Sequence, residues 1–192
     1  KLCTLAADPD PGIRRAVRSA LANIGDPAAT GVLSSVMVAA PREERAQAPG
    51  DLLLFARRLV EAGRKRDGLT TARTLLAAYR QPAESQVAAE ALSLLAAAVG
   101  QEALPDLLQA VGGPDPRLRG AALDIAAGLA WDDQTLTQWI GQAAASAPDV
   151  RADIVDMLGR NGSKAAEAFI VKSLGDPDKI VRLAAIRSAP HD

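Results

Sequence analysis

Histidine and cysteine are almost missing from this chain: one of each in 192 residues, with Cys3 near one end and His191 near the other. A Cys/His nucleophile pair, or a zinc site built on these residue types, would have to join the two termini. A Ser–His–Asp triad would rest on His191 alone. A single cysteine also rules out an internal disulfide framework and leaves the compartment undetermined. Phosphate-cradling loops of the Gly-x-Gly-x-x-Gly or Gly-x-x-x-x-Gly-Lys kind do not occur, and Gly112-Gly113 reads as a turn between helices. The expectation is a protein that binds and does not catalyse, with no metal and no cofactor.

Aromatic residues make up only 3% of a chain that is 48% hydrophobic. Ala, Leu, Val and Ile must therefore fill the interior, and Ala and Leu favour helix. Runs of β-branched and aromatic residues between turns are missing, so an all-α fold is expected. No stretch reaches the roughly 18 consecutive apolar residues that a membrane span needs, and the N-terminus lacks a signal-peptide pattern. No membrane span is expected. The net charge of −1 argues against a dedicated nucleic-acid binder, but it hides an asymmetry. Residues 1–80 carry a balance of +5 and residues 81–192 one of −6. A dipolar array of this kind suits either different ligands at its two ends or plain solubility.

What the chain does have is a repeat. In Ile13–Asp26 the apolar positions fall at 13, 16, 17, 20, 21 and 24, the stripe of an amphipathic helix, and Gly25 follows where such a helix stops. The stripe returns from Leu118, from Val150 and from Val181, and more weakly from Ala88, at intervals of 30, 32 and 31 residues. A degenerate copy runs through Leu52–Phe55 and Leu59-Val60 to Gly63. Strong copies open with Asp four residues before Arg: Asp10/Arg14, Asp115/Arg119, Asp178/Arg182. Asp caps a helix N-terminus, and proline is tolerated in its first turn. The Arg at this place is expected to reach an Asp of its own or the neighbouring repeat. Between these second helices lie first helices at 28–37, 69–79, 102–111, 133–144 and 165–174. Neither helix of a pair can bury its apolar face alone, so neighbouring pairs must stack.

The Asp-Pro-x-Ile/Leu-Arg opening, the Ala-rich stripe and the closing Ile24-Gly25-Asp26 resemble HEAT repeats, most closely the short bacterial, PBS-lyase-like type. Pro105 inside a first helix is similar too. The resemblance is strongest over 8–26 and 101–189 and weakest over 38–80. It implies a single domain over 1–192, a right-handed α-solenoid (alpha-alpha superhelix) of about six repeats with incomplete terminal repeats. It also implies second helices lining the concave side and a role in protein–protein binding or scaffolding. The tail-like Leu2–Ala6 and the stop at Ser188-Ala189-Pro190 lead us to expect part of a larger protein, monomeric by itself.

The concave wall is indexed by counting from each second helix's first stripe residue. Five residues on stand Arg18, Ser93, Leu123, Val155 and Ile186; six on stand Ser19, Leu94, Asp124, Asp156 and Arg187. Arg18, Ser93, Leu94, Leu123, Asp124, Val155, Asp156, Ile186 and Arg187 are the candidate partner-binding residues. In one reading Leu123, Val155 and Ile186 form an apolar ladder for a partner helix or peptide; in the other they pack against the adjacent second helix. Trp131 and Trp139 are an aromatic patch or an inter-repeat plug. Asp153 stands where other copies have Ala: it is either buried with a partner such as Arg119 or Arg182, or a partly exposed flank position. Asp132-Asp133 reads as a helix N-terminus. Arg64-Lys65-Arg66, with Arg57, Arg58, Arg73 and Arg80, is the densest basic patch, read as a nucleic-acid contact or a solvated turn. Residues 41–50 read as a long polar connection. A protein or peptide partner is expected; nucleic-acid binding through the N-terminal half, or service as an accessory domain of a larger enzyme, are the alternatives.

Overall fold

A computed structural model describes residues 1–39, 41–79 and 84–189. Among them there is no strand, as the composition requires. The helices are α1 (Leu2–Leu5), α2 (Pro11–Ile24), α3 (Thr30–Ala39), α4 (Arg42–Glu61), α5 (Lys65–Ala78), α6 (Ser85–Val99), α7 (Leu104–Val111), α8 (Pro116–Ala127), α9 (Asp133–Ala145), α10 (Pro148–Asn161), α11 (Lys164–Ser173) and α12 (Lys179–Ser188). They fall into two compact units, Lys1–Arg80 with Gln86–Ala98, and Gln81–Ser85 with Val99–Asp192. His191 and Arg80 lie outside the described residues.

The helix starts follow the capping chemistry read from the sequence. Asp10 accepts hydrogen bonds from the Gly12 and Ile13 amides at 2.7 and 3.2 Å. Asp115 accepts from Arg117 at 2.9 Å, and Asp178 from Ile180 at 3.0 Å. Each satisfies an amide that the helix itself leaves unpaired. The arginine four residues on closes the same turn from outside. Arg14 donates to the carbonyls of Asp8 and Pro9 at 2.7 and 2.9 Å, and Arg182 repeats both bonds to Asp176 and Pro177 at the same distances. Arg151 plays this part in α10, donating to the Ser146 carbonyl and to Asp176. Part of the expected ladder is thus a clasp on the arginine's own turn.

In unit 1, α4 is the central helix, packed against α2, α3 and α5. Leu52, Phe55, Ala56 and Leu59 of α4 are buried. A side chain on Gly68 of α5 would collide with Val60 and with the Ala56 carbonyl, so α4 and α5 approach backbone to backbone. The polar connection expected at 41–50 is instead the first half of α4. Pro41 precedes the helix, Glu43 and Glu44 occupy its first turn where the dipole favours acids, and Pro49 is accommodated inside it. Ala48 and Pro49 are buried, which gives this apparently polar stretch a tertiary anchor.

Unit 2 is layered. The second helices α8, α10 and α12 pack side by side, and α9 and α11 back them, with α7 against α8. Ile154, Val155, Met157 and Leu158 of α10 are fully buried at the centre. The run Ser85–Val111 is apolar and long enough by length and composition to cross a membrane, and contains 18 residues with a mean hydropathy of 1.4. Gly100 at φ 58° and a 3-10 turn divide it into α6 and α7, of 15 and 8 residues. Both are shorter than the roughly 20 residues a bilayer requires, and Leu92, Leu95, Leu104 and Leu107 are buried within the protein.

Gly25 ends α2 at φ 67°, and a Cβ there would meet Arg58 Cβ at 2.6 Å. Gly25→Ala is therefore expected to lower stability by more than ~1 kcal/mol, from left-handed strain and crowding together. Chemical denaturation measures it, and an unchanged midpoint would contradict this account of the turn.

Candidate functional site

The fifth position of each second helix decides which surface is open. It lies roughly 140° around the helix from the first stripe residue, and in α2 this is the flank facing α4. Arg18 is 2% exposed, Leu123 3% and Val155 0%, whereas Ile186 is 58% exposed. Ser93 is exposed and Leu94 half-buried on α6. The open apolar ladder Leu123-Val155-Ile186 does not exist: its first two members are buried where α8, α10 and α12 pack side by side. Ile186 on α12, like Ser93 on α6, is exposed.

The sixth position stitches the same joints with polar contacts. Ser19 donates to Asp51 of α4 at 3.3 Å. Arg160 of α10 pairs with Asp124 of α8 at 2.7 Å. Arg187 of α12 pairs with Asp156 of α10 at 2.7 Å, where Ser188 also donates at 3.3 Å. These pairs are largely exposed, so each contributes about 0–1 kcal/mol. Their effect is on register more than on stability.

Above the joints of unit 2 lies a groove of about 850 Å³, lined from α8, α10 and the end of α12. It brings together four of the predicted residues, Leu123, Asp124, Asp156 and Arg187. Val155 and Ile186 are not part of it, and Arg18, Ser93 and Leu94 belong to unit 1. The sequence index missed Pro116, Gly120, Gly159 and Arg160, and treated Arg119 and Asp153 only as a pair. The glycines could have been found by asking why a helix interior should carry them. A Cβ at Gly159 would strike Ser188, so this glycine lets α12 approach α10. At Gly120 a Cβ would meet nothing within 4 Å, so this one leaves the groove floor open.

Of the two partners considered for Asp153, the structure selects Arg119, at 3.2 Å; the same guanidinium reaches Asp149 at 3.4 Å. Arg182 is committed to its own turn. Burial pushes the Asp153 carboxyl above its ordinary range, and the neighbouring Asp149 and Asp156 add to this against the pull of Arg119. Its charge therefore costs stability, in the groove where a partner would find it.

Unit 1 carries a charged version of the joint. Arg14 and Arg18 of α2 both hold Glu44 of α4, whose carboxyl lies below its ordinary range, chiefly through the bond from Arg14. Asp51, 4.0 Å from Arg18, is pushed up by burial. Among the described residues, Arg18 Nε and Nη2 find no hydrogen-bond acceptor. A small cavity of about 220 Å³ opens here beside Arg15, Glu43 and Gln47. Arg64, Lys65 and Arg66 are exposed at the turn into α5, and Arg58 is engaged with Asn23 and Glu61. Trp139 is fully buried and Trp131 packs edge-on to it, ring centroids 5.9 Å apart, while donating to the Ala126 carbonyl. The tryptophans plug the repeat. Asp132 caps α9, accepting from Thr135 at 2.7 Å, and Cys3 is exposed. Among the described residues no group of three His, Cys, Asp or Glu could hold a metal ion.

A family model described as HEAT repeats matches residues 134–189, the stretch of α9 to α12. No curated protein matches the chain.

Two outcomes follow from the joints and the groove. Leu123→Ala is expected to cost roughly 2–5 kcal/mol, and Ile186→Ala under about 0.5, although both occupy the fifth position. Equal losses on denaturant unfolding would refute the assignment of joint and open face. Asp153 has a raised pKa in the folded state, so its contribution is fully present below the unfolded pKa of about 3.9 and is lost as pH rises through the folded value. Asp153→Asn should therefore melt higher than the parent at pH 7, with the gap closing below pH of about 4; a lower melting temperature at pH 7 would reverse the sign.

Proposed function

We propose that this chain, whose residues 134–189 are HEAT repeats, is a binding and scaffold module whose α8–α10–α12 groove receives a segment of a partner protein. The observation that carries the reading is the groove itself. It has a floor of Gly120, Leu123 and Gly159 and walls of three arginines and three aspartates, Arg119, Arg160, Arg187, Asp124, Asp153 and Asp156. Glycine on the floor permits close approach of another backbone to the helix. The wall charges are paired with one another across the repeats, and half-exposed pairs exchange partners at little cost. A peptide or helix with polar groups of both signs fits such walls.

A nucleic acid fits them less well, because three carboxylates stand among the three guanidinium groups and would repel phosphate. The exposed cations Arg64, Lys65 and Arg66 lie at a helix start in unit 1.

The test is a display selection of random peptides on the immobilised chain, followed by affinity measurements on variants. Gly120→Trp fills the groove, Arg160→Glu reverses one wall charge, and Gln138→Glu on α9 serves as the control. Groove variants should weaken selected peptides at least about tenfold, a loss of roughly 1.4 kcal/mol, with the control unchanged. Affinity should change only a few-fold between 50 and 200 mM salt, against about 10³–10⁵-fold for a protein making many phosphate contacts. Peptides indifferent to Gly120→Trp would remove the groove from the proposal.

A further inference from the structure

Of the chain's two asparagines, Asn23 and Asn161, only the second precedes a glycine. The difference is chemical. The backbone nitrogen after an asparagine can attack the side-chain amide carbon, and glycine, with no Cβ, leaves that approach open. In Asn23-Ile24 the branched isoleucine side chain obstructs it. Asn161 follows directly on the groove-wall residue Arg160, yet the groove itself makes no use of it.

Asn161 is the last residue of α10, and its side chain crosses to the end of α8. Its Nδ2 donates to the carbonyls of Ala127 at 3.3 Å and Leu129 at 2.7 Å. Those oxygens only accept, so the amide must turn its nitrogen toward them. Ala127 closes α8, and its carbonyl is among those that a helix end leaves unpaired. One side chain therefore clasps the ends of two neighbouring second helices. The group that would attack it is also engaged. Gly162 stands at φ 69°, and its N–H donates back to the Leu158 carbonyl at 3.3 Å, completing the cap. The attacking nitrogen is thus committed along α10, while the amide it would attack is drawn across to α8.

We infer that Asn161 is a deamidation site gated by the α8–α10 clasp, unreactive while the clasp is closed and modified once it opens. In the open form Gly162 N loses its proton to hydroxide and attacks Asn161 Cγ. The new Cγ–N bond closes a cyclic imide, the Cγ–Nδ2 bond breaks, and Nδ2 leaves as ammonia after taking a proton from water. A further water opens the ring at either carbonyl and gives aspartate or isoaspartate. The sum is a water consumed and an ammonia released, with nothing oxidised or reduced.

Neither product restores the clasp. An aspartate at position 161 turns a carboxylate toward two carbonyl oxygens and loses both hydrogen bonds. Isoaspartate also lengthens the backbone inside the cap that Gly162 completes. Opening of the joint is thereby made permanent, beside the Arg160–Asp124 pair of the groove wall. The inference depends on the clasp alone and holds whether or not the groove has a partner.

The experiment ages the full chain in mildly alkaline buffer: folded, in graded urea below the unfolding transition, and unfolded in urea. Peptide mass spectrometry with isoaspartate detection follows Asn161 and Asn23. In the unfolded chain Asn161 should convert while Asn23 stays largely intact. In the folded chain conversion of Asn161 should be at least about tenfold slower, because open forms are sparsely populated. Its rate should climb with urea as opening becomes more frequent. Asn161→Asp, the product made directly, should melt below both the parent and Asn161→Ala, which lacks the clasp but adds no charge. The rates need no variant, so they decide the matter even where Asn161→Asp folds poorly. Equal rates in the folded and unfolded chain, an Asn161 that survives in the unfolded chain, or an Asn161→Asp that melts with the parent would each overturn the inference.

Discussion

The joint between consecutive second helices is what the rest of this structure rests on. A helix of α10's composition has too broad an apolar surface for a single partner, and it is stable only because α8, α9, α11 and α12 surround it. At the fifth position Leu123 and Val155 are buried, and so is Arg18, whose guanidinium is desolvated there and is held by Glu44. Close packing of this kind makes each repeat the support of the next, so stability accumulates along the array and does not reside in any one hairpin.

The groove is a consequence of the same joints. Once the fifth positions are turned inward, what remains on the open side is the sixth position with its neighbours, and these are charged. Arg119–Asp153, Arg160–Asp124 and Arg187–Asp156 each bridge two helices, so the walls are held in register without being filled. Gly120 and Gly159 then act in different ways: one keeps the floor clear and the other lets two helices touch. Asp153 is the exception to local economy, a carboxylate whose surroundings disfavour its charge.

Unit 1 solves the joint with different chemistry. Where unit 2 sets Leu123 and Val155, the first repeat sets Arg18, so its neighbour α4 must supply counter-charges, Glu44 and Asp51. A buried ion pair of this sort contributes little net stability after desolvation, but removing one partner leaves an unpaired buried charge. It therefore favours one pairing of helices over alternatives. That requirement also accounts for the length of α4: Glu44 lies in its first turn, and the helix must begin as early as Arg42 to place the carboxylate beside α2.

By itself the sequence determined that the chain is helical, where most helices begin, and that they recur at about 31 residues. These are local properties: an aspartate caps the helix it precedes, and a stripe spaced at three and four residues is amphipathic whatever surrounds it. The start of α4 escaped because Arg42–Gly50 carries no apolar stripe, and its helicity depends on Arg14 and Arg18 of another helix and on burial of Ala48 and Pro49. The site was legible in part. Counting puts Leu123, Asp124, Asp156 and Arg187 on one expected wall, and these four line the groove; Asp153 stands out as an acid among alanines. Only the tertiary structure decided that Leu123 and Val155 turn inward, that Arg119 and not Arg182 answers Asp153, and that Ile186 remains open. Angular position on a helix follows from residue number, but which flank is covered depends on where the next helix lies, and residue number does not encode that.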